Sequence, residues 1–166
     1  FAMKLSDFNI EFIKFKNETD TFHYKINDLF FGLKENSLFE SGDIDISVTC
    51  TRNESNITLD YHFAGHIAAA CDRCLRDIKI AIEADRNEVL RLTANEDLLQ
   101  EENYISVNYQ VYNVYDSIYE QICLEMPVRK ICEVSERKKE CKIDHPEDTN
   151  EDVVDERWAE LKKLIK

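Results

Sequence analysis

From residue 43 onward, hydrophobic and polar side chains alternate with the two-residue period of a half-buried strand. Ile44, Ile46, Val48 and Cys50 share one face, and Asp43, Asp45, Ser47 and Thr49 the other. The polar run 52–56 predicts a turn, and a longer alternation follows over 57–71, with Ile57, Leu59, Tyr61, Phe63, Gly65, Ile67, Ala69 and Cys71 in register. A run of that length bends, and Gly65 is the natural place for a bulge. Cys71-Asp72-Arg73-Cys74 then interrupts the pattern, which resumes with Ile78, Ile80, Ile82 and Ala84. The CxxC is thus predicted at the tip of a hairpin. A further strand is expected near 87–92, an acidic loop over 95–103, and another alternating stretch through Ile105, Val107, Tyr109 and Val111. Before residue 43, Phe8, Ile10, Phe12 and Phe15 mix alternation with a break, which reads as strand and loop, with turns at Asn27-Asp28 and Gly32.

The period then changes. Ser117 with Glu120 three residues on has the form of a capping box, and Ile118, Ile122 and Met126 share a helical face with Tyr119 and Cys123 until Pro127 stops it. Residues 129–152 hold few hydrophobic groups and read as a charged loop. Trp158, Leu161, Leu164 and Ile165 regain helical spacing, with Asp155 and Glu156 in front and Lys162, Lys163 and Lys166 behind, as the helix dipole favours. The expected fold class is α+β: one β-rich domain over 1–166, built on an antiparallel sheet or partly open barrel, with two helices late in the chain (the second at 155–166).

Composition narrows the function. A 43% hydrophobic and 33% charged chain is that of a soluble globular domain, and no run reaches the ~20 apolar residues of a membrane helix. The net charge of −13 excludes a surface that binds nucleic acid all over, so any RNA contact needs a local basic patch. No secretory leader is evident, so the reducing cytoplasm is the expected location, where six cysteines point to metal binding or burial rather than disulfides. Cys50 and Cys123 fall on apolar faces and read as core thiols.

Cys71 and Cys74 supply two thiolates from one tight turn. A structural zinc site needs four ligands. Cys132 and Cys141 are the candidates to complete it, with His145 in reserve. The plainer alternative is a reduced dithiol turn without metal. Thioredoxin-like chemistry would place the first thiol at a helix N-terminus, whereas strand alternation follows Cys74. Residues 129–142 carry six basic groups, Arg129, Lys130, Arg137, Lys138, Lys139 and Lys142, against three acids, Glu133, Glu136 and Glu140. Joined to Arg73, Arg76 and Lys79 beside the CxxC, they form a candidate phosphate-contact patch, the bland alternative being a solvated charged loop. The next stretch, 144–156, holds seven acids and no Lys or Arg, and suits solubility or shielding of the basic run. His62 and His66 lie ~13 Å apart along a strand, too far to share an ion. Tyr104, Tyr109, Tyr112, Tyr115 and Tyr119 could stack on bases but read better as packing groups. No Gly-rich phosphate loop, HExxH or GxSxG occurs, so a non-enzymatic role is expected.

The segment from Gly65 to Leu75, with its Cys71-Asp72-Arg73-Cys74-Leu75 turn between strands, resembles the "strand, C-x-R-C-L, strand" core of the YceD-like family. The step from Ile122 through Pro127 to Cys132, and the ending Asp155-Glu156-Arg157-Trp158 followed by Leu161 and Leu164, are similar to later elements of that family. Here Glu156 stands where the family has proline, and fewer cysteines mark the C-terminal region. The resemblance implies a cytoplasmic, non-enzymatic role in ribosome biogenesis and large-subunit ribosomal RNA accumulation, with metal and nucleic acid as ligands. Cys71, Cys74, Cys132 and Cys141 are the expected zinc ligands, and Arg73, Arg76, Lys79, Arg137, Lys138 and Lys139 the expected RNA contacts. The expected partner is ribosomal RNA or a pre-ribosomal protein. An acidic adaptor that binds a basic ribosomal or assembly protein is the alternative, and a thiol redox protein a more distant one.

Overall fold

The long alternations become the long strands. In the computed structural model, which describes residues 3–15, 18–101, 103–108 and 111–134, β2 (Thr19–Ile26), β3 (Ser41–Arg52), β4 (Asn56–Ala70) and β5 (Asp77–Thr93) follow one another in an antiparallel ribbon. The short β6 (Tyr104–Ser106) joins the free edge of β5 in parallel. The sheet order is β2-β3-β4-β5-β6, open at both edges rather than closed into a barrel. A second, two-stranded sheet pairs β1 (Asn9–Glu11) with β7 (Val111–Asn113). Among the described residues two α-helices accompany them, the single turn α1 (Asp28–Phe31) and the longer α2 (Tyr115–Glu125). The α+β class therefore holds. The expected C-terminal helix at 155–166 and most of the charged loop 129–152 lie outside the described residues.

One face of the large sheet makes the core. Ile44, Val48 and Cys50 of β3 and Ile57, Leu59 and Phe63 of β4 are fully buried, while Asp45, Asp60 and His62 face solvent. Ile118 and Ile122 bring α2 onto this face. Aromatic rings fill the rest: Phe30 meets Tyr115 at 4.6 Å and Phe8 at 5.2 Å between centroids. Such pairs add ~0.5–1.5 kcal/mol each beyond area burial.

Four local expectations are corrected. First, β5 runs unbroken past residue 84, although Arg86 and Glu88 occupy inward positions. Glu88 is buried and satisfied there: it accepts hydrogen bonds from Tyr61 Oη at 2.8 Å, Tyr112 Oη at 2.7 Å and Ser117 Oγ at 3.3 Å. Second, Gly65 makes no bulge, since the register passes evenly through Asp43↔His66, Ile44↔Gly65 and Asp45↔Ala64. Glycine is needed because a Cβ there would overlap the Asp43 carbonyl oxygen and the Ile44 Cα. Third, Ser117 caps nothing. α2 starts two residues earlier, with the Asn113 Oδ1 accepting from the Tyr115 amide at 3.0 Å, and Ser117 sits buried within the first turns. Fourth, the stretch 105–111 is divided between β6 and β7, which belong to different sheets.

Candidate metal centre

The hairpin between β4 and β5 is closed by its own backbone. The Leu75 amide donates to the Cys71 carbonyl at 2.9 Å, and the Cys71 amide to the Arg76 carbonyl at 2.9 Å. The Arg73 amide is aimed at Cys71 Sγ, 3.5 Å away. Leu75 is held at φ 57°, left-handed backbone that costs a branched L-residue ~1–2 kcal/mol, and its side chain is 78% exposed. The turn thus accepts strain in presenting its two thiols.

A second chain segment meets this tip. After α2 and Pro127 the chain doubles back, and a reciprocal backbone and side-chain pairing docks it: the Asp72 amide donates to the Lys130 carbonyl at 2.6 Å, and the Lys130 amide to Asp72 Oδ2 at 2.7 Å. Cys132 follows two residues later. The sulfurs of Cys71, Cys74 and Cys132 all lie within 4.8 Å of one another, with Cys74 and Cys132 3.4 Å apart. None of them is joined in a disulfide, whose sulfurs would sit ~2.05 Å apart. Sulfurs each ~2.3 Å from a tetrahedral zinc would be ~3.8 Å apart, so the donor set fits. Three soft thiolates favour zinc over hard cations. Cys71 is fully buried, Cys132 4% exposed, and a small apolar cluster of Ile78 and Ile80, with Ala69, Met126 and Ile131 against it, shields the group.

The other sequence candidates divide. Arg73, Arg76 and Lys79 are exposed on the hairpin and the start of β5. Cys141, His145, Arg137, Lys138 and Lys139 lie outside the described residues. Cys50 is a core thiol, pushed up to about 12 by burial and then by the nearby charges of Asp20 and Asp60. Burial also raises the Cys123 thiol. His62 is on the outer face, 2.7 Å from Asp85. Tyr115 and Tyr119 are buried and Tyr112 is tied to Glu88, so these tyrosines are packing groups. No α-helix among the described residues begins at either CxxC thiol, which leaves thioredoxin-like activation without its geometry. Two groups are not foreseen from the sequence. Glu88 leaves only a faint signal there, an acid at an inward position between Ala84 and Leu90, and the Asp72–Lys130 docking leaves none.

A model of the YceD family, described as large ribosomal RNA subunit accumulation protein, matches residues 59–165. The chain belongs to this family. The YceD match begins inside β4 and takes in the hairpin, α2 and Cys132, so both halves of the thiol cluster fall within it. The YceD description concerns RNA accumulation and names no catalysed reaction. Searches of curated proteins and of solved structures give no match. No helix among the described residues is long and apolar enough to cross a membrane.

Proposed function

We propose that this YceD protein is a non-enzymatic ribosome-biogenesis factor of the cytoplasm whose hairpin tip, pinned by zinc, contacts large-subunit ribosomal RNA. Cys71, Cys74, Cys132 and Cys141 hold the ion. Arg73, Arg76 and Lys79, joined by Arg137, Lys138 and Lys139, meet RNA phosphates. The observation that carries this reading is the gathering of three sulfurs, from two chain segments far apart in sequence, within 4.8 Å. A crosslink there fixes the tip that bears Arg73 and Arg76. It also ties down the start of the basic run 129–142, so that charges scattered in sequence act together. Their local positive field is what a chain of net charge −13 needs in order to approach phosphate at all.

The test is binding to a large-subunit RNA fragment over a salt series. Affinity is expected to fall steeply with salt. Replacing Arg73, Arg76 and Lys79 by Ala should weaken binding and flatten the slope by roughly 0.7–0.9 for each phosphate left unneutralised. Unchanged affinity and slope would reject the patch.

The exposed outer sheet face favours a second reading. Asp43, Asp45, Asp60, Glu83 and Asp85 lie on it, a surface that suits a basic pre-ribosomal protein. Under that reading a pull-down of the partner survives nuclease treatment. Under the first it does not.

A further inference from the structure

We propose that Cys74 and Cys132 form an oxidation site, where a two-electron oxidant of the peroxide class joins their sulfurs in a disulfide that holds the hairpin tip to the segment after α2. This crosslink needs no metal, and so goes beyond the function proposed above. Cys74 Sγ and Cys132 Sγ lie 3.4 Å apart, although the two residues are 58 positions apart in sequence. A disulfide needs them at ~2.05 Å, a further approach of ~1.4 Å. What brings Cys132 there does not involve sulfur: the Asp72 amide meets the Lys130 carbonyl at 2.6 Å, and the Lys130 amide meets Asp72 Oδ2 at 2.7 Å. The two thiols are therefore already side by side in the reduced chain.

Burial sets the order of events. Cys74 is partly exposed, while Cys71 is fully buried and Cys132 is 4% exposed. Thiol oxidation follows solvent access as well as thiolate character, so Cys74 meets the oxidant first. Its sulfur takes one oxygen as the O–O bond of the peroxide breaks, which gives a sulfenic acid and one water. Cys132 then attacks the Cys74 sulfur. The S–S bond forms, and the hydroxyl departs with the Cys132 proton as a second water. Two electrons pass from two thiols to one molecule of hydrogen peroxide, and no other reactant takes part. Cys71 stays outside the bond, buried with Ile78 and Ile80 and with its sulfur facing the Arg73 amide. A structural zinc site needs four ligands, so the loss of two thiolates frees any bound ion. The link between the hairpin and the returning segment survives that loss.

The test uses the full chain, one portion loaded with zinc and one stripped with EDTA. Each is titrated with hydrogen peroxide and digested with trypsin in the absence of reductant. Cleavage after Arg73 separates Cys71 from Cys74, so every pairing has its own fragment. The expected product is Cys74–Arg76 joined to Ile131–Arg137, two hydrogens lighter than the sum of the free peptides, from both portions. In the loaded portion zinc should be released in step with it. Cys71→Ser should still give this product. Cys132→Ser should abolish it and leave a sulfenic acid at Cys74 that dimedone captures, with far-ultraviolet circular dichroism unchanged in both variants. A chain that takes up no zinc yet forms the link would remove the metal reading and leave the oxidation site standing. The proposal is overturned by a Cys71–Cys74 link or a link to Cys141 in place of the expected one, by links between chains that disappear on dilution, or by sulfinic acid at Cys74 with no link.

Discussion

Two buried clusters share the sheet and are held in different ways. The large one, under β3, β4 and α2, is closed by apolar burial and by neighbouring rings, such as Phe8 with Tyr24 and Phe30 with Tyr115. The small one, at the hairpin end of β4 and β5, has four buried residues, and two of these are Cys71 and Cys132. Two isoleucines bury too little surface to order a strained turn and a returning segment by themselves. The Asp72–Lys130 pairing helps, and a metal crosslink would do the rest. Where a sheet outgrows its core, its end is held by specific polar pairings such as Asp72 with Lys130 more than by packing.

Perturbing the large core should have the greatest effect. Phe63→Ala, at a fully buried position of β4, is expected to cost about 3–5 kcal/mol in equilibrium denaturation, spread over the whole molecule. A cost under about 1 kcal/mol would show that the core is not the closed unit described. Next comes the polar hub. Glu88→Ala removes the acceptor shared by the hydroxyls of Tyr61, Tyr112 and Ser117 and loosens α2 from β5. The expected loss is about 1–3 kcal/mol, with Glu88→Gln milder because one acceptor oxygen remains.

The last effect is seen only in alkali. Tyr24, Tyr112 and Tyr115 are each pushed up to about 12, in every case first by burial, and Tyr61 is raised further by burial and by Glu88. The unfolded chain releases these protons near the ordinary tyrosine value of about 10, while the folded chain keeps them. This contribution is therefore complete below pH ~10 and is lost as pH rises toward about 12. Tyr24→Phe should shallow the decline seen in pH-dependent melting. No tyrosine belongs to the small cluster, so alkali should unfold the molecule through its main core.

Strong local periodicity made the frame legible. The alternation from Ile44 to Cys50 and from Ile57 to Ile82 identified three long strands and placed the CxxC between two of them. What was misread depended on distant partners. Ser117 has the local form of a cap, yet its hydroxyl is claimed by Glu88, 29 residues away. Gly65 looks like a bulge but answers the close approach of β3. The pieces near Ile105 and Tyr112 are too short to specify which strand they pair with, and one joined each sheet. At the site, the thiol pair was legible from spacing alone. The arrival of Cys132 hung on Asp72 meeting Lys130, a pairing that no local pattern encodes.

The metal content of the purified full-length chain tests the account most directly. Native mass spectrometry of protein expressed with zinc present should find one zinc ion per chain, absent once Cys71 and Cys74 are both changed to Ser. A wild-type chain that carries no metal under the same conditions would contradict it.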